Sequence, residues 1–293
     1  MKIEVPIVSA FVDESVGGNP AGVVLNAQHY SRDQKLRLAA AVNLSETAFI
    51  SPSTTADFKL EFFTPTRQIA HCGHATIATF CYLRQIGALQ CDKTSKETID
   101  GRREILLEGD SAYMEQVTPR YTELSQEHRL RVVNSLGLKQ SDFLPDTQPC
   151  VVNTGNSFLV IALRNSGAVK TVNTNMKLIS SMSDEYDLIG YYVFSPQSVK
   201  AGRDAGARMF APRYGIDEES ATGMAAGPLA CYLHDKLKAD KSHFLIEQGH
   251  LMPSPSPSVI SVRLQTESGK ITSLMAGGRA AVKEVRSVEI KEP

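Results

Sequence analysis

The order of apolar and polar positions along the chain predicts short strands that recur through two halves. In the first half we expect strands over Ile3–Val12, Ala21–Leu25, Glu46–Ile50, Phe58–Phe63, Glu104–Leu107 and Ala112–Val117. In the second half we expect them over Val151–Val152, Phe158–Ala162, Tyr191–Phe194, Arg208–Phe210, Val259–Leu264 and Ala280–Val285. Short apolar runs bounded by Gly, Pro and Asn are typical of strands, so the pattern favours a sheet-rich protein.

Helices are predicted where apolar residues recur at three- and four-residue spacing. Ser31 followed by Gln34 is a capping-box signature for a helix over Arg32–Val42. Ser125 begins a second helix, and Gly137 is well placed to end it. The apolar face expected for that second helix consists of Leu130, Val133 and Leu136.

One motif occurs twice, about one domain length apart. Residues 72–83 (CGHATIATFCYL) align without a gap on residues 222–233 (TGMAAGPLACYL), and each copy follows a Phe-x-Pro. Both segments are apolar or small nearly all the way round, which predicts helices enclosed by protein. Each follows a strand and begins at a glycine. The repeat predicts a duplicated α/β architecture with a site between the halves.

The chain length allows two domains of ordinary size. We expect halves of residues 1–120 and 121–293, with the boundary in the polar segment 118–126. The final strand, about 280–290, is able to pack back on the first half.

Composition and charge exclude several classes of function. The chain has 293 residues, a net charge of −1 and no run of about 20 apolar residues, so neither nucleic acid nor a membrane is an expected partner. The polar N-terminus does not predict a signal peptide. Five scattered cysteines favour reduced thiols and a cytoplasmic location. The sequence has no phosphate-binding loop, and its histidines lack metal-ligand spacing, so neither a nucleotide nor a metal is expected.

The two repeated helices also predict a binding chemistry. Backbone N–H groups at the start of a helix lack partners within it, and the helix dipole favours negative charge there. Helices that begin at Gly73 and Gly223 therefore suit a small carboxylate substrate. The alternative is that these glycines only allow tight packing between helix and strand.

Three side chains of the first half are candidates for chemistry. Glu46 lies between a helix and an apolar strand, where a carboxylate costs free energy unless it is paired or protonated, so it is a candidate general acid/base. His74 is one residue into the first repeated helix and is placed to orient a substrate or relay a proton. Cys72 directly precedes Gly73 and is expected to point into the mouth of that helix, where a helix N-terminus can lower the pKa of a thiol. Each has a structural alternative: an exposed first residue of the strand or a partner of the helix end for Glu46, and packing roles for His74 and Cys72.

These segments resemble the PhzF-like isomerases, named after phenazine biosynthesis. The resemblance covers nearly the whole chain and is carried by the following segments: Gly18-Asn19-Pro20-Ala21-Gly22-Val23-Val24, Ser45-Glu46-Thr47-Ala48-Phe49, Phe63-Thr64-Pro65, Cys72-Gly73-His74-Ala75-Thr76 and Glu218-Glu219-Ser220-Ala221-Thr222-Gly223. It implies an α+β, diaminopimelate epimerase-like fold, in which each half wraps a curved mixed sheet around a central helix. It also implies a homodimer as one option.

The resemblance implies cofactor-independent proton transfer at carbon, with Glu46 as acid/base and His74 beside it. Substrate-binding positions carried over from the family are Asn19, Cys72, Gly73, Glu219, Thr222, Gly223 and Met224. Three positions depart from the family pattern: Glu219 replaces an aspartate, Met224 replaces a serine or asparagine, and Gln68 replaces an acidic residue. We therefore expect a more apolar pocket and do not assign the phenazine precursor as substrate.

The leading interpretation is an isomerase of a small carboxylate or amino-acid-like metabolite. A racemase, epimerase or lyase on the same scaffold is the alternative within enzymes. Two-thiol racemisation is disfavoured because the second motif offers Ala221 and Thr222 and no cysteine. A small-molecule-binding protein without turnover is the alternative from another class.

Overall fold

The computed structural model describes residues 2–290, which fold into two compact units. The first unit comprises Met1–Glu115 and Gly277–Pro293, and the second comprises Gln116–Ala276. The sequence predicts a division at residue 120, with the final strand able to pack back on the first half. In the structure that strand spans Lys270–Glu289, and the boundary between the units falls inside it.

Strands dominate the described residues. Those that begin in the first 115 residues are β1 Lys2–Ala10, β2 Asn19–Val24, β3 Thr47–Pro52, β4 Phe58–Phe63, β5 Gln68–Ile69, β6 Lys93–Thr98, β7 Gly101–Glu108 and β8 Ser111–Gln116. The later ones are β9 Arg120–Glu123, β10 Cys150–Asn153, β11 Ser157–Ala162, β12 Leu188–Ser195, β13 Ala205–Ala211, β14 Ile216–Glu219, β15 His243–Gln248, β16 Ser258–Glu267 and β17 Lys270–Glu289.

Fewer residues are helical. The α-helices are α1 Arg32–Val42, α2 Gly73–Gln85, α3 Gln126–Ser135, α4 Ser166–Lys170, α5 Met176–Glu185 and α6 Gly223–Asp235. Short 3₁₀ turns cover Ala27–His29, Gln140–Asp142 and Pro212–Tyr214. Among the described residues no helix is both long and apolar enough to cross a membrane.

The sheet of the first unit closes on itself. β1 pairs antiparallel with β2, β2 parallel with β3, and β3 antiparallel with β4. β4 pairs antiparallel with β5 and parallel with β6, and β6, β7 and β8 continue antiparallel. β17 pairs with both β1 and β8 and so closes the ring. A closed sheet leaves no long unpaired edge within this unit.

The second unit repeats the pairing order of the first. β10 pairs antiparallel with β11, β11 parallel with β12, and β12 antiparallel with β13. β13 pairs antiparallel with β14 and parallel with β15, which pairs antiparallel with β16. Strands β10 to β16 therefore correspond one by one to β1 to β7. This shared order confirms the duplication predicted from the repeated motif.

The repeated motif forms the central helix of each unit. α2 begins at Gly73 and α6 at Gly223, and both helices have 13 residues. α2 packs against β1, β2 and β3, whereas α6 packs against β10, β11 and β16. Nearly every position of both helices is buried, as their apolar composition predicted.

One of the two amphipathic helices is predicted correctly throughout, and the other in part. Helix α1 begins after Ser31, whose hydroxyl accepts from the Gln34 N–H while the Gln34 side chain accepts from Ser31, so the capping box is confirmed. The face predicted for α3 is correct at Leu136, which is fully buried, and at Val133, which packs against the same core. It is wrong at Leu130, which is 57% exposed, and it omits Val132, which is fully buried. Neighbouring segments, rather than the helical pattern alone, select which side of α3 is covered.

Candidate active site

Glu46 directly precedes β3, in a turn where the chain changes direction. Helix α1 ends at Asn43, which has a left-handed backbone, and Glu46 follows three residues later. Its carbonyl accepts a hydrogen bond from the Gly22 N–H at 3.2 Å, which anchors the turn to β2. The carboxylate is thereby held at the N-terminal end of the parallel β2–β3 pair and is largely buried.

The structure brings Glu46, Cys72 and His74 together. The His74 Nε2 atom lies 3.4 Å from Glu46 Oε2, and its Nδ1 atom lies 3.5 Å from Cys72 Sγ. The imidazole therefore stands between a carboxylate and a thiol. The side chains of His74 and Glu46 are only 4% and 9% exposed, so water competes little with their contact. The imidazole is therefore placed where it could pass a proton between the carboxylate and the thiol.

Burial controls the thiol of this cluster. Removal from water raises the pKa of Cys72, and the nearby Glu46 charge raises it further, while His74 acts in the opposite direction. The lowering of this pKa expected from the helix N-terminus is therefore wrong, because burial outweighs it. The thiol is the favoured form at neutral pH, and a thiolate is what reacts with alkylating agents.

We expect Cys72 to react with iodoacetamide at least tenfold more slowly than the exposed Cys91 at pH 7. Its rate should rise with pH well past the usual range for a thiol, because the raised pKa delays formation of the thiolate. Peptide mapping by mass spectrometry measures both sites, and Cys91→Ser confirms their assignment. Equal labelling of the two cysteines at pH 7 would contradict this account.

The same three residues supply atoms that bind transition metals. One ligand atom from each of Glu46, Cys72 and His74 lies within 4.8 Å of the other two. A metal ion uses one ring nitrogen of a histidine, yet the carboxylate faces Nε2 and the thiol faces Nδ1. Simultaneous coordination by all three would need the ring to turn. The observed arrangement fits a proton relay better than a metal centre.

The second unit carries the corresponding turn before α6. Thr222 stands where Cys72 stands before α2, and its hydroxyl donates to Glu219 Oε2 at 2.6 Å and accepts no hydrogen bond from the helix N–H groups. Met224 Sδ lies 3.5 Å from Asn156 Nδ2 and is a weak acceptor for that amide. The structure thus joins Glu219 to Thr222, at the turn that leads into Gly223.

Asn19 is the candidate residue that lies on β2 of the first unit. It is buried at the start of β2, at the same end of the β2–β3 pair as Glu46. Gly18 before it has a φ of +85°, and a Cβ there would lie 2.6 Å from the Ala10 carbonyl oxygen. Only glycine fits this backbone conformation and this close approach, so Gly18 allows the chain to place Asn19 at the start of β2.

Comparisons with known proteins place the chain in a family. A family described as phenazine biosynthesis-like protein (PhzC-PhzF) matches residues 8–285. The chain belongs to this family. It is 31% identical over 256 residues to the uncharacterized isomerase YddE of Escherichia coli O157:H7, covering 85% of this chain and 86% of that protein.

Two further relatives support the family's fold and enzymatic character. The trans-2,3-dihydro-3-hydroxyanthranilate isomerase of Pseudomonas chlororaphis is 27% identical over 281 residues, covering 93% of this chain and 94% of that enzyme. A crystal structure of a PhzF-family phenazine biosynthesis protein from Bacillus anthracis superposes with a TM-score of 0.89 at 24% identity, covering 99% of this chain and 100% of that one. The likeness confirms the diaminopimelate epimerase-like fold predicted for this PhzF-like chain.

The sequence of the PhzF-like chain does not predict a role for Gln248, but the structure shows one. Its side-chain oxygen accepts from the Thr222 N–H at 3.1 Å and from the Tyr192 hydroxyl at 2.8 Å. Its amide donates to the Glu219 carbonyl at 2.7 Å and to Thr222 Oγ1 at 3.1 Å. This one side chain holds the second-unit turn. Nothing in the local sequence distinguishes it from other glutamines, since its partners come from distant segments.

We expect Gln248→Leu to lower the free energy of unfolding by about 2 to 4 kcal/mol, because buried donors on Thr222 and Tyr192 lose their acceptor. Urea denaturation measures the loss. Gln265→Leu, at an exposed position of β16, is the matched control and should change stability by less than about 0.5 kcal/mol. A Gln248→Leu variant as stable as that control would show that the network contributes little.

Proposed function

We propose that this protein is a cofactor-independent isomerase that moves a proton between carbons of a small carboxylate or amino-acid-like metabolite. Glu46 is the acid/base, and His74 lies between it and Cys72. The observation that carries the proposal is the imidazole of His74, placed 3.4 Å from the Glu46 carboxylate in a site almost closed to water.

The proposed reaction keeps all atoms within substrate and enzyme. Glu46 takes a proton from a carbon activated by the substrate's carboxyl or conjugated carbonyl group, and the electron pair of the broken C–H bond delocalises into that group. Glu46 then returns the proton to a different carbon on the same face. The product is an isomer, and the enzyme regains its starting protonation state.

The first turn of α2 supports the charge that develops. Its N–H groups have no acceptors within the helix, and the side chain of Cys72 provides no cap for them. Fixed N–H groups aimed at a developing oxyanion lower the barrier because they need no reorganisation. A substrate carboxylate at Gly73 would therefore lie beside both Glu46 and His74.

The roles of the remaining candidates stay predictions. Substrate binding by Asn19, Glu219, Thr222, Gly223 and Met224 rests on the family resemblance. A cytoplasmic location and a homodimer also stay predictions. For the second-unit turn, the hydrogen bond from Thr222 to Glu219 supports a role for Glu219 in orienting that turn.

Epimerisation is the second candidate reaction, and one observation favours it. Cys72 and Glu46 contact opposite nitrogens of the same imidazole, so two different groups are able to hold the transferred proton. An epimerase would invert a stereocentre without moving a double bond. The two reactions are therefore distinguished by the structure of the product.

Deuterium uptake from heavy water into a panel of small carboxylates and amino acids tests the proposal. We expect label at carbon in one substrate class, with a double bond moved in the product. Label with inversion of a stereocentre would favour epimerisation. Binding seen by thermal shift, with no label in any compound, would overturn the proposal in favour of a non-catalytic binding protein.

A further inference from the structure

A buried lysine lies beneath the first turn of α2 and has no part in the proposed reaction. Lys96 lies in the middle of β6, between Phe58 of β4 and Arg103 of β7, and is completely buried. Burying an amine costs free energy unless it finds partners. Its partners here are a hydroxyl, an imidazole and an aromatic ring rather than a carboxylate.

These partners lie at both ends of the segment that holds the candidate thiol and imidazole. The Lys96 amine donates to Thr76 Oγ1 at 2.6 Å, and Thr76 Oγ1 donates to the Cys72 carbonyl at 2.6 Å. On the other side, Lys96 Nζ lies 3.5 Å from His71 Nδ1 and 5.1 Å from the centre of the Phe62 ring. Lys96 thus connects the residue before Cys72 with the hydroxyl that holds the Cys72 carbonyl.

We propose that Lys96 is a positioning residue, whose contacts with Thr76 and His71 hold Cys72 and His74 in the geometry required for proton transfer. The inference rests on the proposed function, since positioning matters only if the site turns over a substrate. Lys96 touches no reacting atom in this account. It acts through the backbone of the turn between β5 and α2.

The pKa shifts around Lys96 are consistent with an amine that acts as a hydrogen-bond donor to Thr76 rather than as a charge. Burial lowers the pKa of Lys96 to about 7, and Arg103 lowers it further, whereas Cys72 and Asp100 act to raise it. His71, which faces the amine, also has a pKa lowered by burial and by Lys96. A neutral amine near pH 7 still donates to Thr76, so the contact survives the loss of charge.

Two substitutions remove the central contact, and a third serves as the control. Lys96→Met keeps an unbranched side chain of similar length, and Thr76→Val keeps the shape of threonine. Thr79→Val is the matched control, because Thr79 is equally buried one turn later and donates to the Ala75 carbonyl at 2.7 Å without contacting Lys96.

We expect Lys96→Met and Thr76→Val each to lower the rate constant for deuterium exchange at least tenfold, with KM changed by less than about twofold. Because both remove the Lys96–Thr76 contact, the double variant should lose less than the product of the two single losses. Thr79→Val should exchange within about twofold of the wild-type rate. Wild-type exchange by Lys96→Met, or equal losses with Thr79→Val, would overturn the inference.

Imidazole ¹⁵N resonances give a measurement independent of turnover. Lys96→Met should shift the Nδ1 resonance of His71, and both Lys96→Met and Thr76→Val should shift those of His74, whereas Thr79→Val should shift neither. If the wild type exchanges no label, the proposed function fails, and the His74 resonances still decide whether Lys96 positions the ring. Unchanged His74 resonances in Lys96→Met would refute that positioning.

Thermal unfolding separates positioning from a general loss of stability. A lysine whose folded pKa is lowered destabilises the protein most below that pKa, and the cost falls as pH rises towards the unfolded value. The Tm of Lys96→Met relative to wild type should therefore be most favourable below pH 7 and should decline towards pH 10. If Lys96→Met proves unfolded, Thr76→Val carries the test of activity and of the His74 resonances.

Discussion

Glu46→Gln is expected to lower deuterium exchange by about 10³-fold or more, because an amide of the same shape cannot take a proton from carbon. The fold should persist, since Glu46 anchors its turn through its backbone carbonyl rather than through its carboxylate. Affinity for the substrate should change by only a few-fold. The rate of label uptake, the thermal-shift response to the substrate and the far-UV circular dichroism measure the three effects.

Glu61→Gln is the matched control for this substitution. Glu61 is a half-buried carboxylate on β4 of the same unit, paired with Lys35 and Gln68 and outside the Glu46–Cys72–His74 cluster. It should exchange label within about threefold of wild type. Full activity in Glu46→Gln would assign the proton transfer to another group, with Cys72 the next candidate.

Gly190→Ala is expected to lower the free energy of unfolding by about 3 kcal/mol or more. Gly190 lies in β12, where a Cβ would come within 2.2 Å of the Phe210 carbonyl oxygen and 3.1 Å of the Ala211 Cα on β13. Both are backbone atoms of a buried strand, so neither can rotate away from the new methyl group as a flexible side chain could. Relief of the contact would have to separate the strands. Urea denaturation of the intact protein measures the loss.

Gly206→Ala provides the comparison in the neighbouring strand. Gly206 is also buried, in β13, but the nearest atom to a Cβ there would be the Gln197 carbonyl oxygen at 3.4 Å, an ordinary contact. Its substitution should cost less than about 1 kcal/mol. If both variants are equally stable, the close approach at Gly190 does not limit the packing of β12 on β13.

Local signals in the sequence were sufficient for part of the fold. The Ser31–Gln34 pair and the apolar spacing after it located α1 to the residue, because a capping box is a short-range hydrogen-bond pattern. The repeated motif likewise predicted two enclosed helices from the residues of each segment alone. A helix without a polar side must be covered wherever it lies.

Contacts with other segments account for the features that the sequence did not predict correctly. β6 was missed because its sequence, KTSKET, is polar, yet Thr94 and Lys96 on it are buried by residues of other segments, among them Thr76 of α2 for Lys96. The face of α3 was wrong at Leu130 for the same reason, since a segment's own periodicity does not reveal what covers it. Gln248 was missed because its importance comes from Thr222, Tyr192 and Glu219.

The sequence by itself determined the duplication, the two glycine-led central helices and the candidate residues Glu46, Cys72 and His74. Each of these features is visible in a short stretch of sequence, because it uses residue types that few other positions would require. Only the tertiary structure decided that the His74 ring separates carboxylate from thiol, and that Lys96 lies beneath the turn that carries them. Such distances depend on how the strands pair and close around α2, which no single segment specifies.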